Sequence, residues 1–513
     1  MPFVFWYATG SPCAAATAGR EPGMGTYLLG IDIGTSACRA ALFYENGAVA
    51  AQVAGEYGVQ YPQAGWAEQN PDEWWRAVCR TVRQAIETAG IQPAEIAGVG
   101  VDGQSWSAVA VDADGRVLCP TPIWTDTRAK DICTELKRSV PETEIFALCG
   151  NPLQPSYTLP KILWYKRYLP DIYAKAHAIL QSNSFVVYRL TGVLSQDLSQ
   201  GYGLHCFDMR RGCWDDAMCE RLGVRRSLLP PLFASHQRVG TVGAQAARDT
   251  GLTAGTPVVA GGLDAACGTL GAGVVDPGQT QEQGGQAGGM SICIGEYAAD
   301  PRLILSLHVV PDRWLLQGGT TGGGGALKWL RETICPELSF AEMDQLAQGV
   351  PAGSDGVVFL PYMAGERSPI WNPNASGVFF GLSYAKARAH LIRACMEGVA
   401  YSLRHNLETA ENAGAAADTL RAMGGSANSR LWTQIKADVT GKRIQVAASD
   451  TATMLGAAML AGIGTGVYDS FPQAAERTVS ISRVHQPDHG TRDAYEEGYR
   501  TFRALYERLE PMM

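Results

Sequence analysis

An apolar strand that runs straight into a tight, aspartate-bearing turn occurs twice in this 513-residue chain. Residues 28–36 read Leu-Leu-Gly-Ile-Asp-Ile-Gly-Thr-Ser, and residues 257–264 read Pro-Val-Val-Ala-Gly-Gly-Leu-Asp. Asp264 follows Asp32 by 232 residues (264 − 32), a spacing that suits two related halves, each opening with a strand and then an aspartate. After the first turn, residues 38–44 resume as a strand. Asn46-Gly47 then signals a hairpin into a third strand over 48–57, so the chain opens as a β-meander. Asn70-Pro71-Asp72-Glu73 predicts a helix start, with Asn as cap, Pro at the first position and Glu closing a capping box. Trp74, Val78 and Val82 line one face of that helix. Residues 96–101 read as a buried strand ending at Asp102-Gly103-Gln104. In the second half a helix is expected from about Ala387, with Leu391, Cys395, Met396, Val399 and Leu403 as its apolar stripe. Residues 421–430 read as a strand end, a glycine turn and a helix start, and such a helix N-terminus suits an anion or nucleotide. This alternation implies α/β architecture with at least partly parallel sheets.

Composition narrows the function. Lys and Arg number 42 against 50 Asp and Glu, a net charge of −8 spread along the chain without a basic stripe. That distribution argues against a nucleic-acid partner, which is held by phosphate neutralisation. No stretch approaches the roughly 18 uninterrupted apolar residues of a membrane span, so no membrane partner is expected. None of the 13 cysteines falls in a Cys-x-x-Cys pattern, which suits reduced thiols and a cytoplasmic protein. Residues 1–25 carry a short aromatic run without a basic leader. They are read as a loose N-terminal extension, with Met1 or Met24 as the working start.

Glycine, at 59 residues, concentrates around 261–273, 284–289 and 318–325. Glycine-rich turns bring backbone N–H groups close to a ligand and form anion sites. No Walker-type loop and no dinucleotide-binding glycine motif is present. Two acidic turns, three glycine clusters and a glycine–helix junction together suit phosphoryl transfer. Asp32 and Asp264 are placed to hold Mg²⁺, and Asp264 to accept a proton from an attacking hydroxyl.

Three further segments resemble the signatures of the FGGY family of carbohydrate kinases. They are Ser156-Tyr157-Thr158-Leu159-Pro160-Lys161-Ile162-Leu163-Trp164-Tyr165-Lys166-Arg167, the stretch 377–397 with Gly377-Val378-Phe379-Phe380-Gly381-Leu382 and His390 to Glu397, and Gly365-Glu366-Arg367-Ser368-Pro369. The resemblance runs from Leu28 to about Val467. It implies two actin-like (ribonuclease H-like) domains of the ASKHA superfamily around a central cleft, expected at 26–254 (sugar and first phosphate motif) and 255–513 (catalytic Asp and adenosine). It implies a phosphate motif at Asp32-Ile33-Gly34-Thr35, with Asp32 near Mg²⁺ and Gly34 and Thr35 near the phosphates. Asp264 becomes the catalytic base. Gly285, Gln286 and Gly324 fall near the phosphates, Gly425 and Asn428 in the adenosine loop, and Met454-Leu455-Gly456-Ala457-Ala458 in an interdomain connector.

Within the family, Gly103-Gln104 followed by Trp124-Thr125-Asp126-x-Arg128 is similar to xylulokinases, which places Gln104, Ser105, Trp106 and Asp264 at the sugar. Three departures stand out. Ser105-Trp106 replaces the usual Met-His, and Trp106 either stacks on the sugar or fills the pocket. Ala265 follows the catalytic Asp where Asn is usual. Gln286 stands where the family has a hydroxyl, and its amide can still donate. The expected function is an ATP- and Mg²⁺-dependent kinase acting on a primary hydroxyl of a small ketose, first D-xylulose. The alternatives are ribulose, a deoxyketose, gluconate or an autoinducer-2 type carbonyl, or a nucleotide-binding regulator without transfer activity. A homodimer is the expected assembly. His205, His236 and His308 are read as core or surface residues.

Overall fold

A computed structural model of the chain describes residues 26–448 and 451–513; the expected N-terminal extension lies outside the described residues. Strand β1 (Tyr27–Ile33) is buried on both faces, its Leu28, Leu29, Ile31 and Ile33 fully covered. It pairs antiparallel with β2 (Ala37–Tyr44), which pairs antiparallel with β3 (Val49–Glu56). Gly47 in the second turn has φ +79°, the left-handed conformation that a tight hairpin asks of glycine. Helix α1 (Pro71–Ala89) begins where the sequence places it and buries Trp74, Val78 and Val82. The capping box does not form. The Asn70 side chain accepts the Asp72 N–H at 3.0 Å, and the Glu73 carboxylate turns instead toward Arg76.

Strand β4 (Ile96–Gly103) lies parallel to β1, with Asp102 level with Asp32. Helices α2 (Thr158–Tyr168) and α3 (Ser182–Thr191) follow. Strand β5 (Pro257–Val259) runs parallel to β4, and β6 (Gly262–Leu263) pairs with the end of β4. Residues 257–263 therefore complete the first sheet. Helix α4 (Asp264–Gly271) leaves it. The second sheet opens with β7 (Gln279–Gly284), β8 (Gly288–Ile294) and β9 (Trp314–Thr320), all antiparallel neighbours. After α5 (Gly324–Ile334) and α6 (Arg388–Asn412), β10 (Thr419–Met423) adds in parallel to β7; then, beyond α7 (Arg430–Thr440), β11 (Arg443–Ala447) adds in parallel to β10.

The strand orders β3-β2-β1-β4-β5 and β9-β8-β7-β10-β11 are the same, so the chain repeats one α/β unit. The repeat is not the one read from the two aspartate turns. The counterpart of β1 is β7, and Asp264 is the first residue of α4 rather than a turn residue on an equivalent strand. Local pattern misleads here because β5 and β6 are short apolar strands set about the Gly261-Gly262 pair, just ahead of Asp264.

Helix α8 (Ala452–Thr465) follows β11 in sequence yet seats on the first sheet, against β1 and β4. Glycines permit this: a Cβ at Gly30 would stand 2.0 Å from the Met454 carbonyl oxygen, and one at Gly100 1.9 Å from that of Ala457. Helices α4 and α8 pack on each other at the crossing, tying the two units together. Among the described residues no helix is long and apolar enough to cross a membrane.

Candidate active site

Asp264 stands at the start of α4, its carboxylate accepting the Ala265 N–H at 2.7 Å. Burial, and then the negative charge of Asp32, push its carboxyl up to about 7. Asp32 is buried, with Arg39 at 3.0 Å as its ion-pair partner, and burial raises its carboxyl too. Asp102, one strand over, is fully buried and neither carboxylate oxygen has a hydrogen-bond donor. Burial and the charges of Asp32 and Asp264 hold it well above the usual carboxylate range. Three carboxyls, each raised first by burial and one of them without donors, are the oxygen chemistry a hard divalent cation takes. The residues present thus fit Mg²⁺. Among the described residues no three acidic, His or Cys side chains form a ready ligand set, so waters and phosphate oxygens would complete the shell, as is usual for this ion.

A cavity of about 400 Å³ has Asp264 in its wall. Ser105, Trp106, Trp124 and Tyr202 face it from the first unit, and Gln283, Gly285, Gln286 and Arg367 from the second. The Trp106 ring lies 4.2 Å from that of Tyr157 and 5.7 Å from that of Tyr202. It is one panel of an aromatic wall, only 5% exposed. Trp106 has φ +58°, and the buried Lys161 holds that backbone in place: its Nζ donates to the Trp106 carbonyl at 2.9 Å and to that of Ile123 at 2.7 Å. Burial lowers the Lys161 ammonium to about 7. Gln104 does not reach the cavity. Its amide is buried, donating to Gln69 at 2.9 Å, while Gln69 donates to the Thr35 carbonyl at 2.7 Å. A chain of amides thereby joins the end of β4 to the turn after β1.

A second cavity, of about 600 Å³, is lined by Gly324, Gly425, Ser426, Asn428 and Trp432 among others. Gly285 and Gln286 line both cavities, so the turn after β7 is the partition between them. That turn is braced from behind, since the Gly324 N–H donates to the Gly285 carbonyl at 2.7 Å and the Gly325 N–H to that of Gln286 at 2.9 Å. Beneath the glycine loop, buried Lys436 bonds Glu282 at 2.6 Å and the Ser426 hydroxyl at 2.8 Å. A buried, hydrogen-bonded ion pair therefore holds the loop that faces the second cavity.

The arrangement, a raised carboxyl in one cavity and a glycine-walled cavity beside it, matches what the family models find. The N-terminal domain model of the FGGY family of carbohydrate kinases matches residues 27–271, and its C-terminal domain model residues 298–465. The chain belongs to the FGGY family of carbohydrate kinases. It is an ATP-dependent kinase built from two actin-like domains of the ASKHA superfamily, as the resemblance implied. A xylulose kinase of Bacillus subtilis is 30% identical to this FGGY kinase, across 94% of this chain and 96% of its own length. A gluconokinase of the same organism is 29% identical, across 96% of each. The solved xylulose kinase from Rhodospirillum rubrum superposes with a TM-score of 0.88 at 32% identity, covering 95% of this chain and 99% of that one.

Of the residues expected at the site of this FGGY kinase, Ser105, Trp106, Asp264, Gly285 and Gln286 meet at the first cavity, and Gly285, Gln286, Gly324, Gly425 and Asn428 at the second. Asp32, Gly34, Thr35 and Gln104 stand behind the first; Thr35 reaches its wall through the Trp124 indole N–H, which donates to the Thr35 hydroxyl at 2.9 Å. The sequence reading missed Asp102, Tyr202 and Arg367 as site residues. Asp102 carried a signal, an acidic residue at a strand end before Gly-Gln; Tyr202, in an irregular segment, carried none. His205 and His308 are buried, each with Nε2 against a carbonyl, and burial lowers both to about 4.

Proposed function

We propose that this kinase transfers the γ-phosphate of ATP to a primary hydroxyl of a small ketose, D-xylulose first among them, with Asp264 as the general base. The carrying observation is the placement of Asp264, in the cavity wall and pushed up to about 7 by its surroundings. A base with that value is about half ionised at neutral pH and basic enough to take a hydroxyl proton. The relatives' xylulose kinase activity supports the choice of sugar.

The sugar lies along the aromatic wall of Trp106 and Tyr202, with the hydroxyl to be phosphorylated at Asp264. ATP occupies the second cavity, adenosine at Gly425 and Asn428, with its phosphates running along Gly34, Thr35, Gly324 and the Gly285–Gln286 partition. When bound, Mg²⁺ neutralises phosphate charge; Asp32 and Asp264 would hold it, with Asp102 beside them. Gln286 supplies an amide donor where the family carries a hydroxyl. As the sugar oxygen bonds the γ-phosphorus and the bond from that phosphorus to ADP breaks, the hydroxyl proton passes to Asp264, which gives it up to water once ADP and the sugar phosphate have left. Closure of the domains around the cleft keeps water from competing for the phosphoryl group. The hinge falls between Leu263 and Gln279, where the chain changes sheets, and at α8, in place of the division expected at 254/255. All described cysteines are free thiols, which supports a cytoplasmic setting, and a homodimer is the assembly we expect.

ADP release with Mg·ATP, read across D-xylulose, D-ribulose, L-ribulose, deoxyketoses, gluconate and glycerol, tests the proposal. Stimulation by a ketose that Asp264→Asn abolishes is the expected result. ATP binding with no stimulated release by any compound overturns it in favour of a nucleotide-binding regulator.

A further inference from the structure

Arg367 is the one cationic side chain among the described residues that line the sugar cavity. Its backbone is fixed: buried Glu366 accepts the Thr320 hydroxyl at 2.6 Å, the Thr321 N–H at 2.9 Å and the Arg367 N–H at 2.7 Å. Its guanidinium makes no hydrogen bond or ion pair with any described side chain. It lies along β9 where Gly319 leaves room, 3.3 Å from where a Cβ there would be. Across the cavity it faces the first unit, 5.9 Å from the Trp124 ring centroid. Its positive charge acts on Tyr157 and Tyr202 of the aromatic wall. Asp264, in contrast, is perturbed by the charge of Asp32 and not by Arg367. Arg367 does not line the second cavity, where the cation is Lys328. A half-buried, unpaired guanidinium opposite the sugar-side aromatics, away from the base and outside the second cavity, is poised for the sugar rather than for the nucleotide.

We infer that Arg367 is a specificity-determining residue that grips, through two parallel N–H groups, a pair of acceptor oxygens at the end of the substrate remote from the hydroxyl given to Asp264. The guanidinium fork suits a carboxylate, or a carbonyl oxygen with its neighbouring hydroxyl, and a pair of alcohols, weaker as acceptors, satisfies it less well. A ketose offers its carbonyl and neighbouring hydroxyl, and an aldonate offers its carboxylate. A site built around such donors rejects analogues that leave them unpaired. The inference rests on the proposed kinase reading. It adds what the loss of the Met-His and Asn side chains had taken from the first unit: recognition of the substrate's far end, supplied from the second.

Steady-state kinetics of the full-length wild type, Arg367→Met and Arg367→Lys test it with D-xylulose, D-gluconate and xylitol, which lacks the carbonyl. In Arg367→Met the sugar KM is expected to rise at least tenfold, the ATP KM to stay within about twofold, and the preference for D-xylulose or gluconate over xylitol to collapse. Arg367→Lys keeps the charge without the fork and restores only part of that preference. The carbonyl and carboxylate arms show which acceptor pair the wild type reads. Should Arg367→Met fail to fold, the D-xylulose-to-xylitol ratio of Arg367→Lys carries the same test. An unchanged sugar KM and preference overturns the inference, as does a rise in ATP KM equal to that for sugar. Wild type that turns over none of the sugars overturns the kinase reading itself, whereas active wild type with an indifferent Arg367 overturns only this step.

Discussion

In the first unit Asp32 near the end of β1 sits level with Asp102 on β4; in the second, Gln283 near the end of β7 sits level with Met423 on β10. The strand order is shared and the chemistry is not. The first unit concentrates three buried carboxyls, one of them, Asp102, without donors, which suit a cation and a base. The second keeps its neighbouring acid, Glu282, neutralised by Lys436 and turned away, and presents glutamines and glycines to the ligand. A polyphosphate is repelled by carboxylates and held by neutral N–H groups, so on the proposed reading the first copy supplies the base and the second most of the phosphate path. The difference also explains why a glutamine at 286 is tolerable: that wall needs donors, and an amide is one.

The largest break in the comparison is Asp264→Asn. The kcat is expected to fall about a thousandfold, within the range for a lost general base, while the ATP KM changes little, measured by coupled ADP release. The same variant gains stability in chelator-treated protein. The carboxyl titrates near 7 when folded and near 3.8 when unfolded, so folding disfavours its charged form above about pH 4. The gain in melting temperature over wild type is therefore full above pH 7 and shrinks as pH falls toward 4. A gain that does not depend on pH would show that Asp264 is not so perturbed.

Next comes Lys436→Met, which leaves Glu282 buried and unpaired. A loss of about 3–5 kcal/mol in denaturant titration is expected, with weaker ATP binding because Ser426 loses its anchor. The double variant Lys436→Met/Glu282→Gln recovers much of it; failure to recover would mean the lysine acts on the nucleotide directly. A subtler test is the pH profile of kcat/KM. It should rise with pH through about 7 as Asp264 ionises, and in Asp32→Asn the rise should move to lower pH, since the charge that raises Asp264 is gone. The smallest effect is that of Gln286→Ser, which restores the family's hydroxyl. The ATP KM should change less than about fivefold, as one donor replaces another; a larger change would show that the two walls are less independent than their chemistry suggests.

Much of this was legible in the sequence. The meander, the Asn70 cap and the helix from Arg388 rest on local signals of turn, cap and spacing, and the family signatures led to the two domains and to Asp264. The signatures named residues without their work. Lys161 proves to be a strut under Trp106, and Arg393 pairs with Glu397 at 2.8 Å inside the second unit. The repeat was located wrongly because two strands of the first sheet imitate the start of a new one.

The sequence by itself determined the opening meander, helices α1 and α6 and the lineage, and it marked the acidic and glycine-rich turns from which a base and a phosphate path are proposed, because these depend on neighbours a few residues apart. Only the tertiary structure decided that Asp102 joins Asp32 and Asp264, that Gln104 points away from the cavity, and that Arg367 enters it from the other unit. Those facts depend on which elements become neighbours across 70 residues (102 − 32) and more, and the burial and mutual charge that set each group's chemistry exist only after that packing is complete.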